Sequence, residues 1–308
     1  MSLQLPGLRY DVDLRSLTTL GIGGRAKYLF KARDVSQLAH AVKEARRARM
    51  RWVVLAGGSN VVISDRHINA LVILLSGSGL ELKGKTVIVK AGTPLSELIE
   101  GVIRAGLCGL ETLSGIPGSV GGAILGNAGA YGQSISDHLM RVTIFDGKTV
   151  RSIGKEKCGF SYRESIFKRK PWIITEAQFS LARGDRKLLT KRAQEIMAIR
   201  EKKYPPGLRC PGSFFKNVLV RSVTKRTLTL IPREKIIDGK IPTGYLLERV
   251  GACGMRHGGI EIAEYHGNLL LNRRRGTYRD VRALASVLKR RVKRRFGITL
   301  EEEIHYIQ

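Results

Sequence analysis

The chain has 308 residues, 43% of them hydrophobic, with 54 Lys and Arg against 26 Asp and Glu, a formal net charge of +28. That length suits about two domains and that composition a packed globular core; the charge favours polyanionic ligands such as nucleotides. The opening MSLQLPGLRYDVDLRSL lacks the basic start and apolar run of a signal peptide, and the aliphatic run LVILL at 71–75 is too short to span a bilayer, so a cytoplasmic protein without membrane insertion is expected. Cys108, Cys158, Cys210 and Cys253 are scattered and form no C-x-x-C pair, so neither a metal site nor a disulfide framework is indicated.

In chain order, a helix begins near Asp34 with Leu38, Val42 and Ala45 on one side. RWVVLAGG (51–58) and TVIVKAG (86–92) read as strands ending in glycine. Thr93 and Pro94 suit the cap and first position of a second helix that stops by Gly106. RVTIFDGKTVRSI carries a hairpin turn at Asp146-Gly147, and WIITEAQFSL alternates as a strand. A helix over 188–203 ends before Pro205-Pro206, the best domain boundary, and CPGSFFKNV (210–218) opens a new segment. A last helix carries Val281, Leu284, Leu288, Val292 and Phe296 as a stripe, with Thr277 and Asp280 as a capping box and Gly297 as its stop. Its basic run KRRVKRR (289–295) therefore reads as a solvated helix face, and no nucleic-acid motif accompanies it. The chain closes on ITLEEEIHYI.

Two glycine clusters stand out, LAGGSNVVISD (55–65) and SGIPGSVGGAILGNAGAYG (114–132). A backbone without side chains can turn sharply and present its N–H groups to an anion. Neither cluster has the G-x-G-x-x-G spacing of a dinucleotide-binding Rossmann turn, nor does the chain contain GxxxxGK[ST]. Taken alone, the glycines fit a phosphate site or a tight turn equally well.

TTLGIGG (18–24), both glycine clusters, FSYRESIFK (160–168), GSFFKN (212–217) and LEEEI (300–304), in this order, resemble the UDP-N-acetylenolpyruvoylglucosamine reductase family over nearly the whole chain. The resemblance implies an α+β protein with the FAD-binding fold of the vanillyl-alcohol-oxidase type. Its parts would be flavin subdomains over 1–75 and 76–204, a substrate domain over 205–298, and a C-terminal segment, 299–308, that returns to the active site. It further implies non-covalent FAD, NADPH as electron donor, a UDP-sugar enolpyruvyl ether as substrate, and a monomer or weak oligomer. Gly57, Gly58, Ser59 and Asn60 match the first flavin loop. Gly115, Ile116, Pro117, Gly118, Ser119, Gly121 and Gly122 match the second, completed by Asn127, Gly129, Ala130 and Gly132.

The same resemblance makes Ser213 the proton donor, Arg163 the enolate-stabilising cation and Glu303 the catalytic glutamate, with Lys216, Asn217, Tyr131 and His266 as substrate contacts. Read without that context, Ser213 closes a turn after Pro211-Gly212, Arg163 is one surface arginine among many, and Glu303 is one of three acids at a strand end with Glu301 as the neighbouring register. His266 reads equally as a structural histidine. The short interval from Arg163 to Ser213 places the chain with the subgroup lacking an extra substrate-covering loop. It departs from the family pattern at Val218, where proline is common, at Cys253, where a lysine is usual, and at Gly21, where many members carry arginine. A flavin oxidase or dehydrogenase of the same fold acting on another substrate is the alternative activity.

Overall fold

The structure, a computed structural model, describes residues 3–308. The chain divides into two units: Met1–Val12, Ala26–Gly58 and Asn69–Pro205 form the first; Asp13–Arg25, Ser59–Ile68 and Pro206–Gln308 form the second.

The first unit holds two sheets. In one, the strands run in the order Arg9–Asp13, Arg25–Ala32, Ile68–Leu75, Trp52–Leu55, and the last two are parallel, with Trp52 opposite Leu71. The connection between Arg25–Ala32 and Trp52–Leu55 of this sheet is the helix Val35–Arg47, whose Asp34 side chain accepts from Gln37 N–H at 2.8 Å. Leu38, Ala41, Val42 and Ala45 recur at helical spacing and pack with Leu71 and Ile73 of the sheet. The other sheet is antiparallel, in the order Val150–Gly154, Leu139–Phe145, Ile173–Ser180, Thr86–Lys90, Leu80–Lys83. Its hairpin turns where predicted: Asp146 Oδ1 accepts from the N–H groups of Lys148 and Thr149, and Gly147 takes φ +93°. The helix Leu95–Arg104 buries Leu95, Leu98, Ile99, Val102 and Ile103 against Val87, Val89 and Phe179 of this sheet.

Thr93 does not cap that helix. Pro94 occupies the cap position, with no side-chain cap bond. Thr93 Oγ1 instead donates to Gly79 O at 3.2 Å and accepts from Gly79 N–H at 3.0 Å. The hydroxyl serves the buried junction between two strands rather than the helix end. The helix Arg186–Lys203 begins before its first apolar residue because Asp185 accepts from Lys187 and Leu188 N–H.

The second unit is built on Arg256–His257, Ile260–Ile262 and Leu270–Asn272, antiparallel in that order, and on the long helix Tyr278–Phe296. Thr277 and Asp280 bond reciprocally as the capping box, and Gly297 ends the helix at φ +72°. Val281, Leu284, Ala285, Leu288, Val292 and Phe296 form the buried stripe; they share a core with Phe214, Phe215, Leu246, Leu270 and Ile304. The segments 13–25 and 59–68, placed by the sequence in the first flavin subdomain, pack within this unit. Leu20, Ile22 and Val62 enter its core, and Val61–Ile63 pairs in parallel with His305–Ile307. Among the described residues no helix is long and apolar enough to cross a membrane, and no group of three His, Cys, Asp or Glu could hold a metal ion.

Candidate active site

The glycine-rich loop of the first unit is fixed by backbone bonds. Leu95 N–H donates to Gly118 O, Val120 N–H to Thr93 O and Gly121 N–H to Ala91 O, each within 2.9 Å. Ser119 caps the short helix Val120–Leu125 by accepting from Gly122 N–H. Gly57 of the other cluster lies directly against this loop: a Cβ on Gly57 would stand 2.7 Å from Gly118 Cα. Gly121 is similarly bare because a Cβ there would meet Ala91 Cβ at 2.9 Å. The loop ends in a two-residue hairpin in which Gly129-Ala130 pairs with Gln133-Ser134. Tyr131 and Gly132 sit at its tip with φ +51° and +84°, and Tyr131 is 47% exposed.

Arg163 reaches this loop. Its Nη2 donates to Gly129 O at 2.8 Å and its Nη1 to Asn127 O at 3.3 Å. Arg163 itself is held at φ +57°, a left-handed conformation uncommon for a residue with a side chain, and its carbonyl accepts from Lys168 Nζ. Asn127, also at positive φ and buried, donates through Nδ2 to Ser161 O. Its Oδ1 and the Oγ of Ser114 are buried with no hydrogen-bond partner. Buried polar atoms are ordinarily paired. Orphans on a loop stripped of side chains therefore fit a polar ligand such as a flavin dinucleotide laid against that backbone.

In the second unit, the turn Pro211-Gly212, with Gly212 at φ +84° and open space where a Cβ would stand, leads into Ser213. The following residues form a ladder with the end of the chain. Glu303 N–H donates to Phe214 O at 2.8 Å, Lys216 N–H donates to Glu301 O at 2.9 Å, and Phe215 lies opposite Glu302. Phe214 and Phe215 are fully buried and meet edge to face at 5.0 Å between centroids. Burial of two such side chains, about 1.5–3 kcal/mol each, anchors the ladder. Asn60 joins it: its Nδ2 donates to Glu303 O at 3.1 Å, and its carbonyl accepts from His305 N–H. Thr19 Oγ1, bonded to Cys210 O and Ser59 O, ties the start of the Ser213 segment to the first glycine cluster.

The three glutamates of LEEEI have different surroundings. Glu302 turns inward, its side chain 11% exposed, and pairs with Lys289 and Arg282 of the long helix. Glu301 is 70% exposed and pairs with the buried Lys216. Glu303 is the one whose backbone is bonded to both Phe214 and Asn60. Asn217 Oδ1 accepts from Thr243 N–H, and Thr243 Oγ1 donates to Lys216 O. His266 accepts through Nδ1 from Asn268 N–H, and Gly244 leaves room for its ring. Asn268 in turn bonds both main-chain groups of Phe215, so His266 adjoins the bracing of the ladder.

Of the departures from the family pattern, Gly21 stands at φ +67° beneath the Arg209 stem, a conformation glycine takes without strain. Cys253 is a half-buried thiol, its pKa raised by that burial and then by nearby Glu248. One residue of interest escaped the sequence reading: Arg200, whose side chain runs along Gly115. The signal was available, since Leu189, Ala193 and Ile196 form the buried stripe of its helix and Arg200 is the next position on it.

Fold and loops together define an α+β flavoprotein, and residues 26–151 match the FAD binding domain family. Residues 204–307 match the family described as UDP-N-acetylenolpyruvoylglucosamine reductase, C-terminal domain. The UDP-N-acetylenolpyruvoylglucosamine reductase of Solibacter usitatus is 42% identical over 298 residues, covering 96% of each chain. That of Rubrobacter xylanophilus is 35% identical, covering 98% of this chain and 96% of the relative. The crystal structure of the reductase from Thermus caldophilus superposes with a TM-score of 0.77 at 30% identity, covering 98% of this chain and all of the other. The chain belongs to the UDP-N-acetylenolpyruvoylglucosamine reductase family.

Proposed function

We propose that the protein reduces the enolpyruvyl ether of UDP-N-acetylglucosamine to the lactyl ether of UDP-N-acetylmuramate, a step of peptidoglycan precursor synthesis. It does so in the cytoplasm as a monomer or weak oligomer. Bound FAD, reduced by NADPH, supplies the hydride for the terminal vinyl carbon. FAD is assigned to Gly57, Gly58, Ser59, Asn60 and the loop from Gly115 to Gly132, and the segments flanking those loops in the first unit act as flavin subdomains. The second unit is assigned the substrate.

The remaining chemistry falls to side chains. Addition of hydride leaves an electron pair on the carbon beside the carboxylate. The permanently charged fork of Arg163, oriented by the Asn127 and Gly129 carbonyls, is suited to hold that enolate. Ser213 delivers the proton to the same carbon. A serine hydroxyl is a weak acid, so this role requires help, and Glu303, bonded to the neighbouring Phe214, is the acid group assigned to it. Lys216 and Asn217 bind phosphate or uracil, with Tyr131 and His266 as further substrate contacts.

The observation that carries the reading is the ladder of GSFFKN against LEEEI inside the region matching the reductase C-terminal domain. The match of that segment to the reductase C-terminal domain argues against a flavin oxidase with another substrate. The test is the visible spectrum of the purified protein under anaerobic conditions. A flavin band that bleaches with NADPH and returns on adding the enolpyruvyl UDP-sugar is the expected result. A band that bleaches and does not return would remove the substrate assignment, and a protein that cannot be loaded with FAD would remove the cofactor assignment.

A further inference from the structure

The helix Arg186–Lys203 turns Leu189, Ala193 and Ile196 inward, and the next place on that face belongs to Arg200. Packing alone calls for an apolar residue there. The arginine stem instead lies along the glycine loop: a Cβ on Gly115 would stand 3.3 Å from Arg200 Cδ and Nε. Its Nε is buried without a hydrogen-bond partner, and its guanidinium lies 5.2 Å from the Tyr204 ring centre. Burial, more than anything else, works against the charged form. Tyr204 and Tyr131 partly counter this, while the positive charge of Arg163 adds to it, and no carboxylate contributes. A guanidinium does not escape by losing its proton. A half-buried charge of this kind, with its Nε unpartnered, is better satisfied when an anion meets it.

We propose that Arg200 is a second substrate-holding cation which, together with Arg163, clamps the carboxylate of the enolpyruvyl group. The inference rests on the functional reading above and adds a residue to it. The chemistry explains why two cations are needed. A new C–H bond forms at the terminal vinyl carbon with the hydride electrons. The π pair of the C=C bond moves to the adjacent carbon and spreads into the carboxylate. A group carrying one negative charge in the substrate thus carries two in the intermediate, until the Ser213 proton forms the second C–H bond. Arg163 alone matches the charge of the substrate; Arg163 with Arg200 matches that of the intermediate. A half-buried Arg200 whose Nε has no partner, with the positive charge of Arg163 near it, is well matched to that dianion.

The test uses the FAD-loaded protein, wild type, Arg200→Met and Arg200→Lys, reduced anaerobically with NADPH and then mixed rapidly with the enolpyruvyl UDP-sugar. The return of flavin absorbance should be slower in Arg200→Met by roughly 10²–10³-fold, the cost of losing one transition-state donor. Arg200→Lys should fall between it and the wild type, because charge remains and the planar fork is lost. Flavin reduction by NADPH should be unchanged. UDP-N-acetylglucosamine, which has the diphosphate and lacks the carboxylate, should bind all three proteins equally. If reoxidation is unaffected in both variants, or UDP-N-acetylglucosamine binding weakens as much as reoxidation slows, the carboxylate clamp is wrong. Should Arg200→Met fail to hold FAD, Arg200→Lys decides by the same measurements. Wild-type flavin that the enolpyruvyl UDP-sugar never reoxidises would instead strike at the functional reading.

Discussion

The side-chain amide of Asn60 donates to the main-chain oxygen of Glu303 at 3.1 Å, joining residues 243 positions apart in the sequence. One bond thus links the first glycine cluster to the proposed catalytic glutamate. Asn60→Ala should let the Glu303 segment shift slightly while the acid itself is retained. A lost hydrogen bond of about 1 kcal/mol corresponds to a roughly 5-fold drop in turnover. Glu303→Gln, which keeps the backbone bond and removes the acid, should cost far more, about 10²-fold or beyond. Steady-state kinetics on both variants checks the ranking; equal losses would mean that Glu303 acts only through its backbone.

Ser213→Ala separates cofactor chemistry from proton delivery. The ladder bonds run through Phe214 O and Lys216 N–H, main-chain groups that the substitution leaves in place, so the fold should persist. The variant should retain FAD and be reduced by NADPH at the wild-type rate. Product formation should fall by roughly 10²–10⁴-fold, the usual contribution of a positioned acid. A fully active variant would take Ser213 out of the mechanism.

Gly57→Ala tests the glycine loops by sterics. The added Cβ would stand 2.7 Å from Gly118 Cα and 3.1 Å from Ser119 N, both backbone atoms that cannot swing aside. The two loops must separate, at a cost of about 1–3 kcal/mol as for other overpacked sites. FAD affinity, measured by reconstitution of the apoprotein, should fall together with the melting temperature. Retained affinity would mean that the Gly57–Gly118 contact is not part of the cofactor cradle.

Elements whose ends are decided locally were legible in the sequence. Asp34, the Thr277–Asp280 box, the Asp146-Gly147 turn and Gly297 all act on groups within a few residues, and each does what its sequence context predicts. Thr93 was misread because its partner, Gly79, lies fourteen residues upstream, just before the strand Leu80–Lys83. The pairing of Val61–Ile63 with His305–Ile307 has no local signature either. It draws 59–68 into the second unit, as Leu20 and Ile22 in its core and the Asn272 bond to Leu20 O draw 13–25. The site followed the same division. GSFFKN and LEEEI were recognisable as motifs, whereas their alignment into one ladder follows from two buried phenylalanines and Asn268, which no spacing reveals. Arg200 was overlooked because one arginine in a chain so rich in them carries no signal until its helix face is counted.

Acid stability should carry a contribution from the Asp146 turn. N–H groups of Thr149 and then Lys148 hold this carboxyl below its usual value of 3.8. A depressed native pKa stabilises the fold above the unfolded value, and that contribution disappears as pH falls through the native value. Asp146→Asn should therefore lower the melting temperature at pH 6 and leave it nearly unchanged at pH 2, with the gap closing below about pH 4. A gap of constant size across that range would show that the turn is held by geometry rather than charge.

Lys216 is 7% exposed, yet its ammonium is paired with a carboxylate, that of Glu301, which is 70% exposed. A lysine expected to bind substrate phosphate or uracil is thus already engaged by an anion at the surface. If the substrate must displace Glu301, then Glu301→Gln should tighten binding by what an exposed ion pair is worth. That is about 0.2–1 kcal/mol, or roughly 1.4- to 5-fold in KM, with turnover little changed. Lys216→Met should move the other way and raise KM by about 10-fold or more, since a charge-assisted bond of some 1.5–3 kcal/mol is lost. Both values come from initial rates across substrate concentration at low and high salt, and the Glu301→Gln gain should shrink as salt screens the pair. A Glu301→Gln variant that binds substrate more weakly would reverse the interpretation, making Glu301 the group that aims the lysine.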